Sequence, residues 1–425
     1  MAIIEPKILK GTRDFGPNEA AKRLSVINKI RSVFIKNGYD AIETPAIEYA
    51  ATILGKYGDE GDKLTYAFKD HGGRHIALRY DLTVPTARFV AANWTSLPMP
   101  FKRYQIGPVW RADKPQRGRF REFYQCDIDI IGSTSAMADA EIAKVVNDVF
   151  STLGFNKFLI RINSRRLMND ILEQCKVKKS DRVEVIRQID KLDKTSLKDV
   201  EKELEKTCLD KKQIKELSKI ALSEKARYNL SDVPDGESKK EIDRVLSTIK
   251  QFGVPDKNIT LDLALARGLD YYTGVVYEVI IPDSGLGSVC GGGRYDDLAE
   301  LFSDKKFPGT GVAFGFDRIM TWLEENKKLD DVELSSKVLV VNFEDTIKEN
   351  LRTLTELHKA NISAEIYIED AKMQKQLKYA DKKQIPWVIV QGSNEIKRKK
   401  VMLKNMKTGE QEQLSLKDAI KKVKT

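Results

Sequence analysis

The sequence predicts an α+β protein that is interrupted by a helical insertion and followed by a separate α/β unit. Three changes of texture along its 425 residues predict this. Residues 1 to about 162 mix short β-like runs with Gly and Pro turns. Between Gly154 and Gly253 the single glycine is Gly236, and Lys, Glu, Leu and Ile dominate. Glycine then returns in force from Gly268 to Gly315.

Each element follows from local pattern. In the glycine-poor stretch Ile214, Leu217 and Ala221 recur at helical spacing, which reads as an amphipathic helical unit. The simplest account is one α+β domain carrying that unit as an insertion. Beyond about residue 330, the runs 338–343, 363–368 and 387–390 read as strands separated by charged helical stretches. That order predicts a β-α-β-α-β unit with right-handed crossovers and parallel strands. The basic run Lys397-Arg-Lys-Lys400 fits a solvated turn between such elements.

Composition bounds the function. Hydrophobic residues make up 41% and charged residues 32%, an ordinary soluble globular balance. No stretch approaches the roughly 20 apolar residues of a membrane span, and the opening Met-Ala-Ile-Ile-Glu-Pro-Lys lacks a signal-peptide layout. No membrane partner and a cytoplasmic location are therefore expected. Four cysteines without a C-x-x-C pair argue against a disulfide framework or a zinc site. With only three histidines, none in a metal-type pattern, chemistry is expected to run on carboxylates, arginines and backbone dipoles, or on a diffusible metal ion. A net charge of +10 favours an anionic partner such as nucleic acid.

The segment 101–132, FKRYQIGPVWRADKPQRGRFREFYQCDIDIIG, reads as two strands joined by the loop Asp113-Lys-Pro-Gln-Arg-Gly118. Period-two alternation places Arg121, Phe123, Gln125, Asp127 and Asp129 on one face. Tyr124, Cys126, Ile128 and Ile130 take the other, apolar face. The polar face is either a pocket floor or simply wet. In 261–278 an arginine, Arg267, ends an apolar strand ahead of Tyr271 and Tyr272. Burying Arg267 calls for an anion, either a ligand phosphate or carboxylate, or an internal partner such as Asp262 or Asp270. Two glycine-rich segments follow, the turn-like Gly291-Gly-Gly-Arg-Tyr-Asp296 and Gly309-Thr-Gly-Val-Ala-Phe-Gly315, and Arg318 falls at the start of a helical run over 316–325. No G-x-x-x-x-G-K-[ST] is present, so no P-loop holds a nucleotide. Asp14-Phe15-Gly16 mimics a kinase triplet without the catalytic loop that would give it meaning.

Together these segments resemble the three signature motifs of class II aminoacyl-tRNA synthetases and, more narrowly, the histidyl-tRNA synthetase family. Lys10-Gly-Thr-Arg-Asp-Phe15 is similar to that family's opening segment, and 18–45 to motif 1, the helix and strand of the dimer interface. Residues 101–132 resemble motif 2, and 309–318 resemble motif 3. Ala266-Arg-Gly-Leu-Asp-Tyr-Tyr272 resembles the histidine-specific signature. The resemblance implies an antiparallel class II sheet flanked by helices over 1–162 and 254–328, a helical insertion over 163–253, and an α/β anticodon-binding domain over 334–425. It implies a homodimer that ligates L-histidine to tRNA(His) with ATP and Mg2+.

Carried over by position, Arg111 would hold the ATP α-phosphate and the histidine carboxylate. Phe123 would stack on adenine, Arg318 would meet the γ-phosphate, and Arg267 would stabilise charge developing at the α-phosphate. Asp113, standing where many class II motifs have glutamate, and Arg119 fall with the ATP-binding group. Asp81, Thr83 and Gln125 would hold the amino and carboxylate end of histidine, with Leu82 between them. Asp129 and Tyr272 would each meet an imidazole nitrogen, with Tyr271 alongside. The resemblance assigns no metal-binding residues. Adenylation joins two anions, so cations and positioning rather than a protein nucleophile are what the chemistry needs. The alternative is a non-catalytic paralogue, either a regulatory subunit of histidine biosynthesis or a tRNA sensor. Regulatory subunits of that kind usually lack the arginine signature and the C-terminal domain, and both are present here; a sensor of that kind would need kinase motifs on the same chain, and the sequence has none.

Overall fold

The computed structural model describes residues 3–56, 58–193, 195–266, 271–330 and 336–424. It divides into two compact units, Met1–Asp14 with Val26–Leu329, and Phe15–Ser25 with Asp330–Thr425. Arg267, Gly268, Leu269 and Asp270 lie outside the described residues.

In the first unit, β1 (Asp40–Ala41) opens an eight-stranded sheet, while β2 (Ile47–Tyr49), β3 (Ala67–Lys69) and β4 (His75–Leu78) form a small antiparallel sheet. The large sheet is completed by β5 (Phe101–Trp110), β6 (Glu122–Ile131), β7 (Leu159–Ser164), β8 (Ile259–Leu261), β9 (Val275–Ile280), β10 (Ser288–Tyr295) and β11 (Gly309–Gly315). Its spatial order is β1-β5-β6-β11-β10-β9-β7-β8. The interior pairs are antiparallel, and the edge pairs β1–β5 and β7–β8 are parallel.

The alternation expected for β6 sets the layers. Cys126, Ile128 and Ile130 face a core supplied by Val26, Ile30, Val33 and Phe34 of the helix Pro17–Lys36 and by Ile142, Val145, Val146 and Val149 of the helix Ala136–Thr152. The opposite face is not wet: Gln125, Asp127 and Asp129 are all buried. Buried polar groups of this kind require partners or a ligand.

Two local expectations are corrected. The run after Leu261 does not continue as a strand to Ala266, because β8 ends at Leu261 and Asp262 turns the chain. The Asp262 carboxylate accepts from Arg161 Nε at 2.5 Å, from Arg227 Nε at 2.5 Å and from the Ala264 amide at 3.1 Å. Asn163 Nδ2 fixes the carbonyls of Leu263 and Leu265. Asp262 is thus the carboxylate of Arg161 and Arg227. Residues 291–295 belong to β10 rather than to a turn, and the glycines there allow close backbone packing. A Cβ on Gly292 would stand 2.0 Å from the Gly311 carbonyl oxygen of the neighbouring strand.

Between Arg165 and Gln251 the described residues form helices and no strand, beginning with Arg165–Gln174 and ending with Glu237–Gln251. Leu167, Ile186, Leu204 and Ile242 from this stretch join the same apolar cluster as Ile160, Ile162 and Tyr277 of the sheet.

The second unit contains β12 (Val338–Val340), β13 (Ala364–Ile366), β14 (Trp387–Val390), β15 (Val401–Asn405) and β16 (Gln411–Leu414), in the order β13-β12-β14-β15-β16. The first three are parallel, as the pattern predicts. The antiparallel hairpin β15–β16 was not read from sequence. Its turn is set by Asn405, whose side chain accepts from the Lys407 and Thr408 amides, and by Gly409 at φ +77°. Residues 397–400 are exposed: Lys397 ends the short helix Ser393–Lys397 and 398–400 turn the chain into β15.

Candidate active site

The polar face of β6 is the floor of a cleft of about 360 Å3 walled by β10, β11 and the hairpin loop between β5 and β6. Phe123, Gln125 and Asp129 line it in register along one strand. From Phe123 to Asp129 is roughly 20 Å of extended chain, long enough for two ligands end to end.

At the Asp129 end, Gly311 pairs with Asp129 across β11, and a Cβ there would stand 2.0 Å from Asp129 Oδ1. Only a bare backbone leaves space for the carboxylate. Tyr295 Oη donates to Asp129 Oδ1 at 2.5 Å, and the guanidinium of Arg103 pairs with Oδ2. Burial pushes the Asp129 carboxyl up, opposed by the Arg103 charge and then by the Tyr295 hydrogen bond. Its neighbour Asp127 is pushed well above the usual carboxylate range, again by burial first. Tyr272 packs over Gly293, where a Cβ would lie 2.9 Å from the ring, and Tyr271 Oη donates to Tyr272 Oη at 3.0 Å. Asp81 caps the helix Thr83–Asn93 by accepting from the Thr83 and Val84 amides. Asp81 and Thr83 reach the cleft. Leu82 is fully buried, with its side chain in the fold rather than on the cleft wall.

The Phe123 end is cationic. Arg111 leaves β5 with its guanidinium carbon 5.3 Å from the Phe123 ring centroid and 4.1 Å from that of Tyr80, and its Nε donates to the Tyr80 carbonyl at 3.0 Å. Such stacking holds a planar cation in place without neutralising it. Arg119 pairs with Asp113 at 2.7 Å within the loop. Arg318 stands in the first turn of the helix Phe316–Glu325 and donates to the Ser288 carbonyl at 2.5 Å. The helix start is tied to β6 by Asp317, which accepts from the Tyr124 amide at 2.8 Å and pairs with Arg13. Arg13 also lies 3.3 Å over the Phe120 ring, so the opening segment braces the hairpin loop.

The structure therefore gathers Asp81, Thr83, Gln125, Asp129, Tyr271 and Tyr272 in one cleft with Arg111, Asp113, Arg119, Phe123 and Arg318. Arg267 lies outside the described residues. Sequence reasoning missed Tyr295, Arg103 and Asp317. The alternation that marks β6 also places Arg103 and Gln105 on the matching face of β5, opposite Asp129 and Asp127.

An antiparallel sheet with flanking helices and a cleft of this make-up on one face fits the class that the motifs resemble, the class II aminoacyl-tRNA synthetases. The sequence matches the family model of histidyl-tRNA synthetase over residues 11–319 and that of the anticodon binding domain over 337–425. It is 41% identical to the histidine–tRNA ligase of Clostridium tetani, covering 99% of each chain. A solved histidyl-tRNA synthetase from Nostoc sp. PCC 7120 superposes with a TM-score of 0.85 at 29% identity, covering 99% of both chains. A solved Bacillus halodurans protein described as an ATP phosphoribosyltransferase regulatory subunit/histidyl-tRNA synthetase shares the fold, with a TM-score of 0.75 at 20% identity, over 89% of this chain and 97% of that one. The chain belongs to the histidyl-tRNA synthetase family.

Proposed function

We propose that this protein ligates L-histidine to tRNA(His) in two steps, first making histidyl-adenylate and pyrophosphate from histidine and ATP, then passing the histidyl group to tRNA with release of AMP. The observation that carries this reading is the two-ended cleft, carboxylate and phenols at one end and arginines with an exposed aromatic face at the other. Full-length similarity to named histidine–tRNA ligases supports it against the non-catalytic alternative.

In this reading Asp129 and Tyr272 take the two imidazole nitrogens, and an amino acid lacking them leaves a buried carboxylate unmatched. Asp81, Thr83 and Gln125 hold the amino-acid backbone. Phe123 offers its face to adenine, Arg111 meets the α-phosphate, and Arg318 meets the terminal phosphate. Arg267 would stabilise the charge developing at the α-phosphate as the adenylyl group is transferred. The histidine carboxylate itself attacks, so the protein supplies orientation and positive charge. Mg2+ would accompany ATP and offset the charge on its phosphates.

The C-terminal unit would read the anticodon, as its family match suggests. A homodimer is supported by the small sheet, where Ile47, Tyr49 and Phe68 share one exposed apolar face. Its place of work would be the cytoplasm, where charged tRNA is used; no helix of the described residues is long and apolar enough to cross a membrane. The direct test is ATP–pyrophosphate exchange with each of the twenty amino acids. Exchange driven by histidine alone is expected, and exchange driven equally by another amino acid, or none at all, refutes the assignment.

A further inference from the structure

The sheet beneath the cleft holds a cation that none of these roles uses. Arg103 sits on β5 directly across from Asp129 on β6, and its side chain is fully enclosed, with 0% exposure. A guanidinium cannot shed its charge, so full burial is tolerated only against a fixed anion. Here that anion is Asp129 Oδ2. The other oxygen, Oδ1, accepts from Tyr295 Oη, and Gly311 leaves bare backbone beside it. Asp129 and Tyr295 both line the cleft, whereas Arg103 lies behind them.

One pair along, Gln105 stands opposite Asp127, and both are buried. Among the described residues neither carboxyl oxygen of Asp127 has a hydrogen-bond partner. Two carboxyls therefore share the field of one guanidinium, and the one in contact with it is the one that reaches the cleft.

We propose that Arg103 is a positioning residue for side-chain recognition: by gripping Asp129 Oδ2 it fixes the plane of that carboxylate and keeps it an acceptor for a ring N–H in the cleft. The proposal deepens the reading of this cleft as the histidine site and rests on it. The groups facing Asp129 are Arg103 from β5, Tyr295 from β10, Asp81 ahead of the helix Thr83–Asn93, Tyr39 ahead of β1, and Asp127 on its own strand. Among them Arg103 is the main influence holding the carboxyl down against burial. Without it the carboxyl is pushed further up, keeps its proton to higher pH and ceases to be a pure acceptor. Raising the pH should return it.

The test is pyrophosphate exchange by the full-length protein, comparing Arg103→Met and Arg103→Lys with wild type from pH 6 to 9. Taking the variant-to-wild-type ratio at each pH cancels the titration of free histidine. Arg103→Met is expected to raise the histidine KM at least tenfold near neutral pH while the ATP KM stays within about twofold, the size expected when a charge-assisted contact is weakened at one end of the site. The histidine penalty should shrink as pH rises. If Arg103→Met does not fold, Arg103→Lys carries the test. It keeps the charge and loses the planar guanidinium, so it should raise the histidine KM several-fold with the ATP KM unchanged, roughly what weakening one charge-assisted contact costs. An unchanged histidine KM, or equal increases for histidine and ATP, overturns the proposal. Absence of histidine-dependent exchange in the wild type would instead overturn the reading of the cleft, and the proposal with it.

Discussion

Replacing Asp129 by Asn keeps the shape of the side chain and removes its charge. In the folded protein this carboxylate is 3% exposed, lines the cleft beside Tyr295, and is backed by Arg103. A hydrogen bond from a bound imidazole N–H to such a group is charge-assisted and worth about 1.5–3 kcal/mol. At about 1.4 kcal/mol per decade, kcat/KM for histidine should fall roughly 10- to 150-fold. The ATP KM should hold within about twofold, because Phe123 and Arg318 serve the far end, roughly 20 Å of strand away. The assay is histidine-dependent pyrophosphate exchange with each substrate varied in turn. Arg103 loses its counter-charge in this variant, a change that can cost about 3–5 kcal/mol of stability. The measurement must therefore be made where thermal melts show the protein folded. A folded variant with equal losses for histidine and ATP would refute the assignment, since Asp129 would then support the sheet rather than the imidazole.

Other consequences are equally open to measurement. Arg267→Ala should slow single-turnover adenylation roughly 10²–10³-fold with a much smaller change in histidine affinity; a rate within about threefold of wild type removes its proposed role. Arg294→Met should destabilise the protein by about 3–5 kcal/mol in denaturant titration, because it strands Asp139, a fully buried carboxylate held by Arg294 Nη2 at 2.7 Å; a loss below about 1 kcal/mol would show the pair to be dispensable. A chain ending near Asp330, shown to be folded, should still make histidyl-adenylate while losing most tRNA charging. Its tRNA binding should be less salt-dependent than that of the full chain, since each phosphate contact contributes to the slope; undiminished charging would withdraw the anticodon role.

Much of the site was legible in the sequence because it sits on strands with a period of two. Phe123, Gln125 and Asp129 fall on one face by alternation alone and all line the cleft, Gln125 and Asp129 buried and Phe123 half-buried. What could not be read was the third dimension of that floor. Tyr295 meets Asp129 across 166 residues of sequence, and no local pattern pairs β6 with β10. The glycines at 291–293 suggest a turn because glycine usually marks one, whereas Gly292 lets β10 close on β11 and Gly293 leaves room for the Val275 carbonyl and the Tyr272 ring. Asp262 was similarly ambiguous: within an apolar run it resembles a strand residue, and only the folded position of Arg161 and Arg227 shows why the strand stops. The hairpin β15–β16 was lost because its second strand, Gln411–Leu414, is polar and lies at the sheet edge.

The helices between Arg165 and Gln251 share one continuous apolar core with the sheet, and Arg161, Asp193, Arg227, Asp262 and Glu278 bind the two together ionically. This stretch continues the apolar core of the sheet without a break. Its slowest-exchanging amides should open with those of β7 and β9 in a single cooperative unit, at one common free energy, rather than as an independent foldon. Excised as a fragment, it would expose Leu167, Ile186, Leu204 and Ile242 to water and fail to hold its helices, since helices of this length draw most of their stability from tertiary packing.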